Sequence, residues 1–497
     1  MKISALFLLS LVNIVTAQPL DWSGELAIFG TVQNEHSPCV AIAGPSVLQA
    51  FCIVADDTLA MKRSSNSGES WSAVSKLVSA IPAPRLMTAS DYEFTYAICS
   101  SIESSSKHLC RFAANANLWS DAVETELPLG FGANVDALSA ATDASVQPDD
   151  PYLNVCWKEG ANEGAGNLWF VQSQDQGITF SSPVLVHAEG LVTGNVDVGV
   201  AIATTWSGEE ENIHIASTQD REGSIPQEIK IYSSSNQGLQ WNTGISVDAA
   251  AYAQFDPSLT AFGNNLFLVY MRRSDVTSQR DIYFVYSPDE GVTFSDPVSL
   301  TPDSTDDASP QIVMDVDGEF FYVFYLTGEE NDDHSTLMFR RGAVAAPWVI
   351  DEAAAICENE DVFSSGGYAI TSGSMGIAAT WTSEFVLGDQ DVHFDASWRG
   401  TSIEQHSAFL PIKSMLGECY PNPFNGSLSL PLDLHSTQTV TLVVLNMLGQ
   451  RVQTLSYGPM TPGSHILSTD LRNLSSGTYY FRLQNSNQPP IRAVLIK

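Results

Sequence analysis

Four stretches of this chain follow one order of residues: SSNSGESW from Ser64, SQDQGITF from Ser173, SSNQGLQW from Ser234 and SPDEGVTF from Ser287. The order is Ser, any residue, Asp or Asn, any residue, Gly, any residue, a polar residue, then an aromatic one. Glycine permits the positive φ that a tight turn needs. Asp or Asn can accept hydrogen bonds from its own turn backbone. The aromatic residue can pack beneath the turn and hold it to the body. The aromatic ends are Trp71, Phe180, Trp241 and Phe294, and two degenerate copies end on Trp119 and Trp348. The intervals between successive ends are 48, 61, 61, 53 and 54 residues, which marks the phrase as part of a repeated unit. Upstream of each end lies a pair of apolar, β-rich runs, such as SLTAFG with LFLVYMRR. A seventh pair, YAITSGSMGIAATW, leads into DVHFDASWRGTSI. Each unit reads strand, turn, strand, loop, strand, turn phrase, strand.

The phrase resembles the Asp-box of sialidase-like β-propellers, Ser-x-Asp-x-Gly-x-Thr-Trp/Phe. The first and third copies depart from it, with Asn66 and Asn236 in place of Asp and with Ser70 and Gln240 in place of Thr. The resemblance implies an all-β fold of four-stranded blades in a ring. Counting units predicts a seven-bladed β-propeller. Six blades is the alternative, because sialidases resemble a six-bladed form. The early segment ELAIFGTVQ is expected to add a strand to the last blade and close the ring, which removes exposed strand edges. The role of the phrase itself is structural.

The N-terminus, MKISALFLLSLVNIVTAQPL, has a basic Lys2, an apolar run from Ile3 to Val15 and a small-residue cleavage site at Val15-Thr16-Ala17. Residues 1–17 therefore read as a secretory signal peptide, with an uncleaved anchor as the alternative. No later stretch is long and apolar enough to span a bilayer as a helix. The chain has 497 residues and a net charge of −35, distributed unevenly. Residues 418–497 hold three acids and five bases, which leaves −38 on residues 18–417. That shift predicts a domain boundary near Glu418. So acidic a body should repel nucleic acid and anionic membranes. Seven cysteines include no CxxC pair, which argues against a zinc site. An exported chain can form disulfides. Turns at Pro45-Ser46 and Ser104-Ser105 would place Cys39 opposite Cys52 and Cys99 opposite Cys110, with Cβ atoms roughly 4.5–5.5 Å apart. Buried free thiols are the alternative. Cys156 is expected to be buried and unpaired, and no partner is assigned to Cys357 or Cys419.

Residues 418–497 contain the turn-rich YPNPFN, the strand–turn–strand VTLVVLNMLGQRV, SSGTYYFRL and a final strand. The segment resembles the C-terminal sorting domain of proteins exported by the type IX secretion system. The resemblance implies a small immunoglobulin-like β-sandwich, recognition by the secretion machinery, and a secreted or surface-anchored destination. An ordinary β-sandwich without a sorting role is the alternative.

In a propeller, the loops from strand 2 to strand 3 and from blade to blade share one face, where ligands usually bind. That face should collect Arg85, Lys158, Arg221, Arg272, Arg273 and Arg280, with acidic neighbours such as Asp281. Trp157, Tyr270, Tyr325 and Trp381 end strand 2 in four units, where they could stack on sugar rings or pack between blades. Calcium is the one cofactor considered. Asp303, Asp306, Asp307, Asp332 and Asp333 offer the oxygen ligands it prefers, and a solvated acidic loop is the competing reading. DVDGEFF at Asp315 reads as a hairpin turn. Two functions remain: a surface module that binds an extracellular glycan or protein, and a sialidase-like glycoside hydrolase. Sialidases hold the substrate carboxylate with three converging arginines, a choice explained by bidentate pairing. The Arg-Ile-Pro signature of that family is missing, since APRLM around Arg85 has the arginine alone. The binding module ranks first on these grounds.

Overall fold

The computed structural model describes Trp22, residues 25–30, 34–398 and 415–497, except 45, 56–57, 79–83, 92–93, 102–106, 114, 117, 129–133, 143–151, 161–165, 189–198, 207–210, 220–226, 249–251, 274–278, 304, 329–333, 357–361, 364–366, 374–375, 387–388, 417–418, 420–421, 423, 435–437, 448–449, 461–462 and 484–490. The signal peptide expected at 1–17 lies outside these residues.

The protein is all-β. Among the described residues the one helical element is the short 3-10 turn Trp119–Asp121. Five antiparallel sheets are simple four-stranded meanders in chain order. The first runs Glu35–Gly44, Val47–Val54, Thr58–Ser64, Ser75–Val78. The second spans Pro84–Ser90 to Val123–Glu126, the third Asn134–Thr142 to Val184–His187 and the fourth Val200–Trp206 to Ile245–Ser246. The fifth spans Ala253–Phe262 to Val298–Ser299. A ten-stranded sheet follows, made of two meanders joined through the short strand Val362–Phe363. Its early part is Asp306–Met314, Phe320–Gly328 and His334–Ala343, with two short outer strands. Its late part is Tyr368–Gly373, Gly376–Val386 and Asp389–Trp398, completed by Leu26–Phe29 from the start of the chain. The expected strand from ELAIFGTVQ is therefore present. The Lys62 ammonium donates to the Ile28 carbonyl at 2.5 Å and ties it to the first sheet.

The second strand of each meander is largely buried on both faces, and apolar residues predominate in most of them, with polar exceptions such as Gln49, Asn154, Lys158 and His214. Apolar clusters join consecutive meanders. Phe51 and Met61 of the first meet Ala97 and Phe112 of the second. Tyr96 and Leu109 of the second meet Val155 and Trp157 of the third. The series continues to Phe324 and Trp381, which share a cluster between the two parts of the ten-stranded sheet. A last cluster joins Ala378, Val392 and Phe394 to Val40, Leu48 and Ala50 of the first sheet, so the series closes on itself.

The repeated phrase builds the same loop four times. The residue before each glycine is left-handed, with φ of 59° at Ser67, 58° at Gln176, 59° at Gln237 and 59° at Glu290, and the glycines follow at 78–85°. The Ser64, Ser173, Ser234 and Ser287 hydroxyls accept from the amides of Gly68, Gly177, Gly238 and Gly291 at 2.8–2.9 Å. A Cβ on Gly238 would fall 2.0 Å from Phe170 of the preceding meander, so only glycine fits. Trp241 stacks edge-on against that Phe170, and Trp71 against Phe394, both at 5.1 Å. Trp348 does not pack this way and is 68% exposed.

A second repeat sits in the first strands. Ser37-Pro38, Asp256-Pro257 and Ser309-Pro310 each place a left-handed residue before proline, at φ 52°, 47° and 52°, and each coincides with a register shift. Proline tolerates a strand at a bulge, and a bulge re-aims the side chains beside it.

The tail forms two antiparallel sheets, one of Met415–Leu416, Ser427–Leu434 and Gly463–Asp470, the other of Arg451–Met460, Gln438–Leu445, Gly477–Leu483 and Ile491–Leu495. Leu430, Leu442, Phe481 and Leu495 share one apolar cluster.

The disulfide expectation is corrected. Cys39, Cys52, Cys99, Cys110 and Cys156 are free and buried, and the buried Cys419 donates its thiol to the Arg492 carbonyl at 3.6 Å. The register irregularity between Ile42 and Gly44 sets Cys39 opposite Phe51, and Cys39 and Cys52 enter different clusters. Cys99 lies opposite His108, and Cys110 opposite Ala97, a two-residue stagger. Burial pushes the Cys39 and Cys110 thiols up to about 12, with Glu124 adding to the effect at Cys110. Cys357 lies outside the described residues.

Candidate functional site

The loop ends of the strands carry the polar groups that the sequence pointed to, and in the fifth and sixth meanders they converge. The register places Arg272 opposite Asp281 and Asp306 opposite Gly328, at the mouths of their sheets. The Arg272 guanidinium lies 4.1 Å from the Tyr252 ring centre and 4.3 Å from that of Tyr283. Its Nη1 donates to Asp248 Oδ2 at 3.1 Å, and the Tyr270 hydroxyl donates to the same oxygen at 3.1 Å. Burial, then the Asp248 carboxylate, push the Tyr270 hydroxyl far above its ordinary range.

Arg280 grips Asp306 with Nε at 2.9 and 3.1 Å from the two carboxylate oxygens, and Nη2 closes the pair. The Arg280 amide also donates to Asp306, at 2.8 Å. Arg273 is half-buried, and its charge helps keep the Asp306 carboxylate ionised. Asp303 accepts from the Thr305 amide at 2.9 Å and from its hydroxyl. Asp307 differs from these. It is 1% exposed, and its Oδ2 has no hydrogen-bond partner. Burial, opposed by hydrogen bonds from Thr327 and Thr301 and reinforced by Asp303 and Asp281, raises its carboxyl to about 6.

The other candidates fall elsewhere. Trp157, Tyr270, Tyr325 and Trp381 are at most 3% exposed and belong to the apolar clusters between meanders, not to an open rim. The facing meander covers them, and Trp381 lies at the middle of its strand Gly376–Val386. Lys158 is buried, and its ammonium donates to the Thr218 carbonyl of the next sheet at 2.5 Å. Arg85 pairs with Ser100 through the backbone of its strand, and its side chain lies outside the described residues, as do Arg221, Asp332 and Asp333. Asp303 and Asp306 are engaged by Thr305 and Arg280, and among the described residues no group of three or more His, Cys, Asp or Glu is placed to hold a metal ion. Sequence reasoning missed Asp248, Tyr252, Tyr283 and Arg340. Only the position of Asp248 in a sheet-to-sheet loop could have flagged it.

Residues 418–497 match the family described as the secretion system C-terminal sorting domain. The protein is thus type IX secretion cargo, secreted or attached to the cell surface, and its tail engages the secretion machinery. No curated protein matches the chain significantly. Solved structures that resemble it include a Penicillium chrysogenum α-L-arabinanase complexed with arabinobiose (14% identity, 75% of this chain and 98% of that one, TM-score 0.40). Polysaccharide lyase Uly1 (8%, 73% and 90%, TM-score 0.49) and the Hadza microbial sialidase Hz136 (11%, 73% and 66%, TM-score 0.38) are others. Among the described residues no helix is long and apolar enough to cross a membrane.

Proposed function

We propose that the chain is an exported seven-bladed β-propeller, residues 18–417, followed by an immunoglobulin-like β-sandwich at 418–497, and that the loop face of the propeller binds an extracellular glycan or protein. The cyclic succession of apolar clusters supports the ring, with the two parts of the ten-stranded sheet as the sixth and seventh blades. The two tail sheets around one core support the sandwich.

One observation carries binding over sialidase-type hydrolysis. The candidate guanidiniums with described partners, Arg272 and Arg280, are already closed by Asp248 and Asp306. A guanidinium so neutralised has little left to give a substrate carboxylate, because a second anion would have to displace a hydrogen-bonded one. Tyr270 points the same way, since it is fully buried in an apolar cluster between meanders and out of a substrate's reach. A glycan array and a fluorogenic sialoside assay on the exported protein test the reading together. Retention of glycans or a protein ligand without turnover is expected. Robust sialoside turnover lost in Arg272→Ala would overturn it.

A further inference from the structure

The two sheets of the tail turn different faces outward. The strands Ser427–Leu434 and Gly463–Asp470 hold both acids found in the tail's strands, Asp433 and Asp470, and their exposed positions include Ser427 and Ser468. The four-stranded sheet contains no acid in any of its strands. Its inward positions, such as Leu442, Val444, Phe481 and Ala493, enter the tail core. The alternate positions point outward. Register sets Arg451, Leu445, Tyr480 and Arg492 side by side in one row across all four strands. Arg482 stands two residues along from Tyr480, opposite Val443. The row covers three strand spacings, about 14 Å between its outer backbones. All three arginines are exposed, and Leu445 and Tyr480 between them are half-buried.

These arginines stand apart from the others in the chain. The sequence holds 57 acids against 22 bases, and in the body Arg272, Arg280 and Arg341 are each paired with an aspartate. Among the described residues, the guanidiniums of Arg451, Arg482 and Arg492 have no ion-pair or hydrogen-bond partner. The strands of this sheet carry arginine and no lysine. Arginine offers a planar fork that matches a carboxylate or phosphate with two hydrogen bonds. Exposed arginines around a tyrosine are also the composition of protein–protein contacts, from which lysine is depleted. A phosphate-bearing membrane would answer the guanidiniums but offer Leu445 and Tyr480 no apolar counterpart. The chain's net charge of −35 also opposes its approach to such a surface.

The tail engages the secretion machinery, and the surface that does so is not given by the family match. We propose that it is this sheet face, with Tyr480 at its centre and Arg451, Arg482 and Arg492 around it. The partner is a protein surface of the machinery that carries carboxylates around an apolar centre. The guanidiniums pair with the carboxylates, and Leu445 and Tyr480 pack between them.

Export of the full-length protein from a bacterium with a type IX system tests the proposal. Joint Arg451→Glu, Arg482→Glu and Arg492→Glu substitution should lower the exported fraction by about tenfold or more, because like charges across an interface repel. Joint substitution of the same three by lysine should lower it only a few fold, since the charge is kept and the fork is lost. Both purified variants should melt with the parent, as exposed side chains hold little of the fold. A photo-crosslinker, p-benzoylphenylalanine exchanged for Tyr480 in the otherwise unaltered chain, gives a reading that does not depend on the stability of the charge variants. It should join the protein to a secretion component identified by mass spectrometry. Export of the glutamate variant at the parental level would overturn the proposal. An adduct only with the chain's own propeller would make the face an internal contact and overturn it too. Co-sedimentation of the parent with phosphatidylglycerol vesicles, lost in the glutamate variant and accompanied by no protein adduct, would assign the face to a membrane instead.

Discussion

At the turn end of the strands, the repeated phrases share a set of hydrogen bonds made within their own eight residues. Ser173 serves Gly177, and Asp175 serves Thr179. At the loop end, the polar side chains reach across to other strands and sheets: Lys158 to Thr218, Arg272 to Asp248, Arg280 to Asp306. The first arrangement is modular and tolerates copying. The second depends on which sheets meet, leaves one Asp307 oxygen without a hydrogen bond, and cannot be copied from meander to meander. Self-satisfied loops are what a scaffold needs. An incompletely satisfied buried carboxyl costs stability.

The largest effect should come where the sequence placed a ligand rim and the fold placed a core. Trp381 is fully buried beside Phe324 and stacks on His393 at 6.1 Å. Trp381→Ala should destabilise the protein by about 3–5 kcal/mol in chemical denaturation. Trp348→Ala, at an exposed position, should change stability by less than about 0.5 kcal/mol. Equal effects would erase the distinction between rim and core.

A smaller effect separates the two ends by pH. Beneath the turn end, His214 is buried between the hydroxyls of Thr205 at 2.8 Å and Ser233 at 2.9 Å, and burial lowers it to about 4. A histidine depressed in the fold is neutral there while the unfolded chain still binds a proton. Its stabilising contribution is complete above about 6.5 and is lost as the pH falls toward 4. The loss is at most ~3 kcal/mol. Denaturation curves between pH 7.5 and 4 should show it, and His214→Gln should flatten the slope. A parent and variant that fall in parallel would exonerate His214.

Asp307 should behave in the opposite sense. Its carboxyl is raised to about 6 from 3.8, so the folded state resists ionising it. The penalty is absent below about 3.8 and fully present above about 6. Asp307→Asn should therefore be more stable than the parent by ~1–2 kcal/mol at pH 7.5, with the gap closing by pH 4. Comparing variant with parent at each pH cancels the contribution of His214. A destabilised Asp307→Asn at neutral pH would make Asp307 part of the scaffold.

The turn end was legible in the sequence because its interactions are local. Ser64 to Trp71 can be read without knowing what lies beside them, and the order of meanders follows from the spacing. The loop end was legible only as a list of charges. That Arg280 would find Asp306, and that Trp157 would lie under the neighbouring sheet, depends on contacts between residues far apart in the chain. The cysteines failed for a related reason. Hairpin arithmetic from Pro45-Ser46 assumes an unbroken register, and the irregularity between Ile42 and Gly44, beside the turn itself, breaks it. A separate register signal was present three times, as Ser37-Pro38, Asp256-Pro257 and Ser309-Pro310, a repeat as regular as the turn phrase though shorter.

The smallest expected effect tests whether the turn phrase is as self-contained as its geometry implies. In the second and fourth copies, Asp175 and Asp289 each accept from the amide of the threonine four residues on at 2.8 Å and from its hydroxyl at 2.6 Å. In the first copy Asn66 does the same work with one bond reversed. Its Oδ1 accepts from the Ser70 amide at 3.1 Å, and its Nδ2 donates to the Ser70 hydroxyl at 3.0 Å. The loop thus needs an acceptor at this position and does not need a charge. Asp175→Asn should cost less than about 0.5 kcal/mol, because the amide group can adopt the Asn66 pattern. Asp175→Ala removes the acceptor and should cost about 1 kcal/mol, held to that level because the loop is exposed and water can replace part of what is lost. Equilibrium denaturation of both variants at pH 7.5 distinguishes the cases. If the asparagine variant lost as much as the alanine one, the carboxylate charge would matter, and the natural Asn66 and Asn236 copies would be weakened turns rather than equivalent ones.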